Sequence, residues 1–164
     1  ADLLYLPTVA AECAQADLES GAEPGTAATL LAELGSYLPG ERDPRDLSEG
    51  QRLALVLAIQ LTASPPVVLL DEPTRGLDYQ TKADLQRIVT RIAATGAAVL
   101  ISTHDVEFAA GVSDRTILMA DGEIVAQGTT RSLLTSSVAY APQMAKVFAP
   151  LPFLTAADVS AGLS

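Results

Sequence analysis

The sequence has no tryptophan, one cysteine (Cys13), one histidine (His104) and two lysines (Lys82 and Lys146). A lone cysteine excludes an internal disulfide, and one histidine leaves no cysteine–histidine cluster for zinc. A reduced, cytoplasmic setting is the expectation. Long apolar runs are also missing, because Pro65-Pro66 and Gly96 interrupt the richest stretches well short of a membrane span. The residues from Ala1 to Pro7 carry neither a basic leader nor a secretory cleavage pattern. The first methionine is Met119, so a processed chain or a fragment is expected. Basic residues are few and scattered, and the formal charge of −10 argues against a nucleic-acid surface. Acidity of this kind otherwise fits an ordinary solvated surface.

What is present is apolar, at 49 % of the residues, without low-complexity tracts, in a chain about one domain long. Two amphipathic helical segments are expected near Thr8–Ser20 and Thr26–Ser36, separated by the Gly21–Gly25 break. A proline-bearing loop follows from Pro39 to Asp46. Ser48-Glu49-Gly50-Gln51 then opens a helix so uniformly apolar that burial on all sides is expected. Pro65-Pro66 stops it and starts Val67-Val68-Leu69-Leu70, a short β-rich run. Asp78 is placed to cap a further helix in which Leu85, Ile88, Val89 and Ile92 recur at i, i+3, i+4 and i+7. Ala97–Ile101 reads as a second buried strand, Asp105–Gly111 as a short helix, and Asp121-Gly122 as the turn of a hairpin. A short helix from Thr129 to Leu134 comes next, and then a peripheral tail with a last helix from Thr155.

Helix, apolar strand, helix, apolar strand predicts an α/β fold with a mostly parallel sheet covered on both faces. Chemistry in such sheets gathers at the carboxyl ends of the strands. Asp71 and Glu72 end the first strand, Thr103 and His104 the second, and the two ends are expected to be neighbours. An adjacent carboxylate pair can orient a magnesium-bound water and polarise an attacking one, or it can simply close a strand at the surface. Ser48 and Gln51 fit a capping box, while the hydroxyl, Gly50 and the exposed amides of a helix start also fit an anion site.

Leu47-Ser48-Glu49-Gly50-Gln51, Leu69-Leu70-Asp71-Glu72-Pro73-Thr74, Gly76-Leu77-Asp78 and Ser102-Thr103-His104-Asp105 occur in that order at short intervals. This series resembles the ATP-binding-cassette (ABC) ATPases, matching in turn their signature motif, Walker B strand, D-loop and His-switch. The resemblance implies part of a P-loop NTPase fold with an N-terminal helical subdomain, and ATP and Mg2+ as cofactors. It implies that Asp71 holds magnesium through water, that Glu72 is the general base and that His104 contacts the γ-phosphate. It also implies that Ser48, Glu49, Gly50 and Gln51 reach nucleotide held by a second cassette, with Asp78 signalling across that interface. Glu49 stands where the commonest form has glycine.

The phosphate loop, Gly-x-x-x-x-Gly-Lys-Ser/Thr, is absent: Thr81 precedes Lys82 and Ala145 precedes Lys146. The glutamine loop is absent too, and Asp2–Pro7 resembles the stretch after it. Tyr140–Phe148, together with Tyr5–Val9, resembles ATPase subunits of energy-coupling-factor (ECF) importers, which take up vitamins or metal ions. The expected division is a helical signature subdomain over 1–50, an ATPase core over 51–135 and a tail over 136–164. Implied partners are a second ABC ATPase domain and transmembrane transporter subunits, on the inner face of the cell membrane, with no nucleic acid. The alternatives are a soluble ABC ATPase of chromosomes or ribosomes, and a catalytically inactive interaction module.

Overall fold

The computed structural model describes residues 3–136 and 140–162. Ala1 and Asp2, at the head of the stretch likened to the end of a glutamine loop, lie outside the described residues, as do 137–139 of the tail. The chain forms two compact units.

The first unit comprises Ala1–Leu70 and Arg75–Ile101. Helix α1 (Val9–Ser20) starts where the Thr8 side chain accepts the Ala11 amide, and it stops at Gly21 in the left-handed region, with φ 69°. Helix α2 (Thr26–Glu33) has no cap from its own Gly25. The buried Asp17 of α1 supplies one, accepting the Gly25 and Ala27 amides at 2.6 and 2.8 Å. Satisfying two orphan helix-start amides is what makes a buried carboxylate tolerable there. Helix α3 (Glu49–Leu61) packs on both, with Ala54, Leu55, Leu57 and Ala58 buried. The loop before it contains a short 3-10 turn at Pro44–Asp46. Helix α4 (Tyr79–Ala94) buries the four residues its period singles out, Leu85, Ile88, Val89 and Ile92.

Strands β1 (Val67–Asp71) and β2 (Ala98–Ser102) pair with each other. Pro66 O accepts from Ala98 N, and six residues on Glu72 N donates to Ser102 O, so the two strands run the same way. Burial on both faces is not what this chain provides. Val68 is buried, but Val67, Leu69 and Leu100 are 53, 69 and 62 % exposed. Leu53, Val56 and Ile59 of α3 are likewise only half-buried. An apolar run reports the need for cover, and the described residues of this unit meet that need on one side only.

The second unit comprises Asp71–Thr74 and Ser102–Ser164. It contains α5 (Val106–Val112), β3 (Arg115–Ala120), β4 (Glu123–Thr129), α6 (Thr130–Ser136), α7 (Gln143–Val147) and α8 (Ala156–Gly162). Strands β3 and β4 form the expected antiparallel hairpin, with Met119 opposite Ile124 and a register shift between Leu118 and Met119. Asp121 and Gly122 both take positive φ, as a two-residue primed turn requires. Among the described residues, no helix is long and apolar enough to cross a membrane.

The tail is more than peripheral. Ala145 and Leu154 join Leu134 in a buried cluster, against which Val106, Ala110 and Ala141 pack. Arg131 of α6 donates to Pro152 O and pairs with Asp158. Burial would raise the Asp158 carboxyl, but the Arg131 guanidinium and the Leu154 and Thr155 amides outweigh it and hold the pKa at about 2. A folded-state pKa below the unfolded one means this stability is complete above the unfolded carboxylate's pKa and is lost as pH falls through about 2. Carboxyl-carbon NMR is expected to show Asp158 titrating near that value. Arg131→Ala is expected to move the titration upward, and an unmoved titration would assign the depression to the backbone amides alone.

Candidate active site

Strand β1 carries two carboxylates to its end. Asp71 closes the strand in an exposed position, while Glu72 leaves it in the left-handed region at φ 46° and is half-buried. Few residues other than glycine adopt that conformation, and such local strain gathers at functional sites. Within the second unit, β2 delivers Thr103 and His104 to the same carboxylate. Glu72 Oε1 lies 2.9 Å from His104 Nδ1 and accepts the His104 amide at 3.2 Å, while Oε2 accepts the Thr103 hydroxyl at 3.4 Å. With Glu72 ionised, Nδ1 must carry the proton, which leaves Nε2 facing outward for another partner. The His104 ring is 82 % exposed.

The side-chain hydrogen bond from His104 is the main reason the Glu72 carboxyl is held below its ordinary range; burial opposes it, and the His104 charge and amide and the Thr103 hydroxyl each add a smaller lowering effect. Glu72 is thus ionised at neutral pH. The contact stabilises the fold fully above the unfolded glutamate's pKa and is lost as pH falls through the lower folded value.

Ser48, Glu49, Gly50, Gln51 and Asp78 lie in the first unit. The capping box is closed in both directions, Gln51 N to Ser48 Oγ at 3.3 Å and Ser48 N to Gln51 Oε1 at 3.1 Å. Glu49 pairs with Arg52 one turn on, at 3.3 Å, and Arg52 also donates to the Arg45 and Leu47 carbonyls. The Glu49 charge is therefore tied to its own helix. Asp78 caps α4 through the Thr81 amide at 2.8 Å. That amide, then the Thr81 hydroxyl and, least, the Gln80 amide hold its carboxyl below the ordinary range against the effect of burial.

Sequence reasoning missed Thr81. A Cβ on Gly50 would lie well inside van der Waals contact with the Thr81 Cγ2 methyl, while Thr81 Cβ and Oγ1 would sit at an ordinary 3.5 Å. The starts of α3 and α4 therefore meet at a glycine whose smallness is already used by a neighbouring helix. Gly50→Ala is expected to cost about 1–3 kcal/mol by overpacking, and Thr81→Ser, which removes only the methyl, to recover most of it. Urea denaturation of the single and double variants measures both terms. A fully additive pair would show that the methyl is not the obstacle.

Among the described residues, no three His, Cys, Asp or Glu side chains gather to hold a metal ion. Magnesium commonly takes one or two carboxylates and completes its shell with water and substrate phosphates. The exposed Asp71 at a strand end fits a single-carboxylate role of that kind.

A family model described as "AAA domain, putative AbiEii toxin, Type IV TA system" matches residues 39–110. The "Putative ABC transporter ATP-binding protein" of Streptomyces coelicolor is 54 % identical over 99 % of this chain, which spans 29 % of that relative's length. The energy-coupling factor transporter ATP-binding protein EcfA of Methanothermobacter thermautotrophicus is 33 % identical over 78 % of this chain and 42 % of its own length. A relative named for amino-acid transport matches as well. Among solved structures, cbiO1 of Clostridium perfringens, part of the ABC transporter complex cbiONQ, superposes with a TM-score of 0.76 at 20 % identity, over 91 % of this chain and 61 % of its own.

The fold is that of the ABC ATPase domains, α/β proteins of the P-loop NTPase class. The chain is a homologue of the ABC transporter ATP-binding proteins, with EcfA proteins among its relatives, and it spans well under two thirds of the length of the curated relatives it matches.

Proposed function

We propose that this chain supplies the magnesium-and-water half of an ATP-hydrolysing cassette that drives import across a membrane, in the manner of energy-coupling-factor subunits. The observation that carries the reading is the Glu72–His104 contact at 2.9 Å, an ionised carboxylate and an imidazole brought to one point by adjoining strand ends. In this reading Asp71 holds Mg2+ through water, and Glu72 takes a proton from the attacking water. His104 keeps Glu72 oriented and offers Nε2 toward the phosphate. Bound ATP supplies the scissile phosphoryl group, and Mg2+ neutralises charge on it.

Ser48, Glu49, Gly50 and Gln51 serve a nucleotide held by a second cassette, and Asp78 couples the two sites. The capping box fixes the start of this helix, and the positive end of its dipole favours an anion there, which supports a presentation role. Residues 1–50 act as the signature-bearing helical part, 51–135 as the ATPase core and 136–164 as the tail. The helical segment Leu3–Pro39 contacts the transmembrane subunits, which places the protein on the inner face of the membrane.

The test is to express a complete subunit carrying this sequence from its own host with a purification tag. Co-purification with membrane subunits, and ATP-dependent uptake by the reconstituted complex, are expected. Vitamins, divalent metal ions and amino acids form the three substrate arms. Sedimentation with ribosomes and no membrane partner would overturn the transport reading in favour of a soluble ABC ATPase.

A further inference from the structure

The catalytic reading leaves one feature of the second unit unused. Residues 140–162 fold back on α5, the helix that begins two residues after His104. Glu107, three residues beyond His104, accepts the backbone N–H of Gln143 at 2.5 Å. It thereby caps the first turn of α7, whose own Pro142 offers no side-chain cap. On the same helix Val106 and Ala110 pack with Ala141 against the buried Leu134, Ala145 and Leu154, and Phe108 is 2 % exposed. The far end of the segment is anchored by Arg131, which holds Pro152 O and Asp158, while Phe148 and Phe153 meet edge to face at 5.8 Å between centroids.

His104 itself has little to hold it apart from Glu72, since its ring is mostly exposed. Where that ring can go is therefore set by its backbone seat. The seat consists of the Thr103–Asp105 turn, in which Asp105 N donates to Thr103 Oγ1, and the α5 cap, in which Phe108 N donates to Asp105 Oδ1. A seat on a seven-residue helix cannot be rigid by its own hydrogen bonds and needs tertiary packing. The tail supplies that packing.

We propose that residues 140–162 are a strap that seats α5 and so positions His104 against Glu72, with Glu107 as the positioning residue that joins strap to switch. The inference rests on the catalytic reading above for its functional meaning, but its structural content can be tested separately.

His104 is the only histidine, so its imidazole Cε1–H signal is a single NMR resonance that needs no assignment among rivals. Glu72→Ala fixes the position of that resonance when the ring is released. Glu107→Ala is expected to shift it from the wild-type position toward the released one, as a two-state population moves. Glu107→Gln, whose amide oxygen can still accept the Gln143 N–H, is expected to leave it in place.

Gln143→Pro deletes the donor while leaving the Glu107 carboxylate unchanged. Proline is tolerated at a first helical position, and Pro142 already has the extended ψ of 161° that suits a following proline. Gln143→Pro is expected to shift the signal in the same direction as Glu107→Ala. It decides the matter alone if Glu107→Ala does not fold. A resonance that stays at the wild-type position in both Glu107→Ala and Gln143→Pro would overturn the strap. Since these signals are read without nucleotide, normal turnover in Glu72→Gln would remove the catalytic reading and leave the strap's hold on His104 intact.

Discussion

Glu72→Gln, in a complete subunit carrying this sequence, is expected to cut ATP hydrolysis by at least ~10²-fold while leaving ATP binding unchanged. The substitution is nearly isosteric, and the amide oxygen can still accept the His104 N–H bonds, so the site's geometry is preserved. What is lost is the charge and basicity of a carboxylate that is ionised at neutral pH, as an ordinary glutamate is, and that His104 holds lower still. Binding and turnover therefore separate in this variant. Single-turnover hydrolysis beside nucleotide affinity measures the split. Near-normal turnover would remove Glu72 from the general-base role and leave its contact with His104 a structural one.

The 164-residue chain by itself is expected to hydrolyse ATP at least ~10²-fold more slowly than such a complete subunit, the scale of loss when even one preorganised donor to a developing anion is missing. Phosphates are gripped by glycine-rich backbone amides and one lysine at fixed spacing. Lys82 sits in the first turn of α4 and Lys146 in α7, and neither follows a glycine. Malachite-green phosphate release by purified chain, with magnesium and with EDTA, is the measurement. Robust magnesium-dependent turnover would mean that residues of this chain grip the phosphates by a route the sequence does not suggest.

Much of the site was legible in the sequence because its parts are local. The Ser48–Gln51 box lies within four consecutive residues, the Asp78 cap reaches three residues on, and the α4 stripe from Leu85 to Ile92 covers about two turns. Each follows from helical geometry alone. The meeting of Glu72 with His104 was legible for a different reason, since parallel strands must bring their carboxyl ends to one edge. Thr81 was not legible as the neighbour of Gly50, because the two are 31 positions apart and nothing in either segment records the crossing of α3 and α4. Nor was Asp17, whose carboxylate reads like any exposed helical acid until the next helix lays two amides on it.

By itself, then, the sequence determined most of the elements, the Ser48 and Asp78 caps, the hairpin turn and the edge at which Glu72 and His104 gather. These depend on hydrogen bonds and side-chain periods that repeat within a few residues. Only the tertiary structure decided which apolar faces are covered, that Val67, Leu69 and Leu100 stand open, and that the tail closes over α5. Burial depends on which distant surface arrives, and an apolar residue states the need for a partner without naming one.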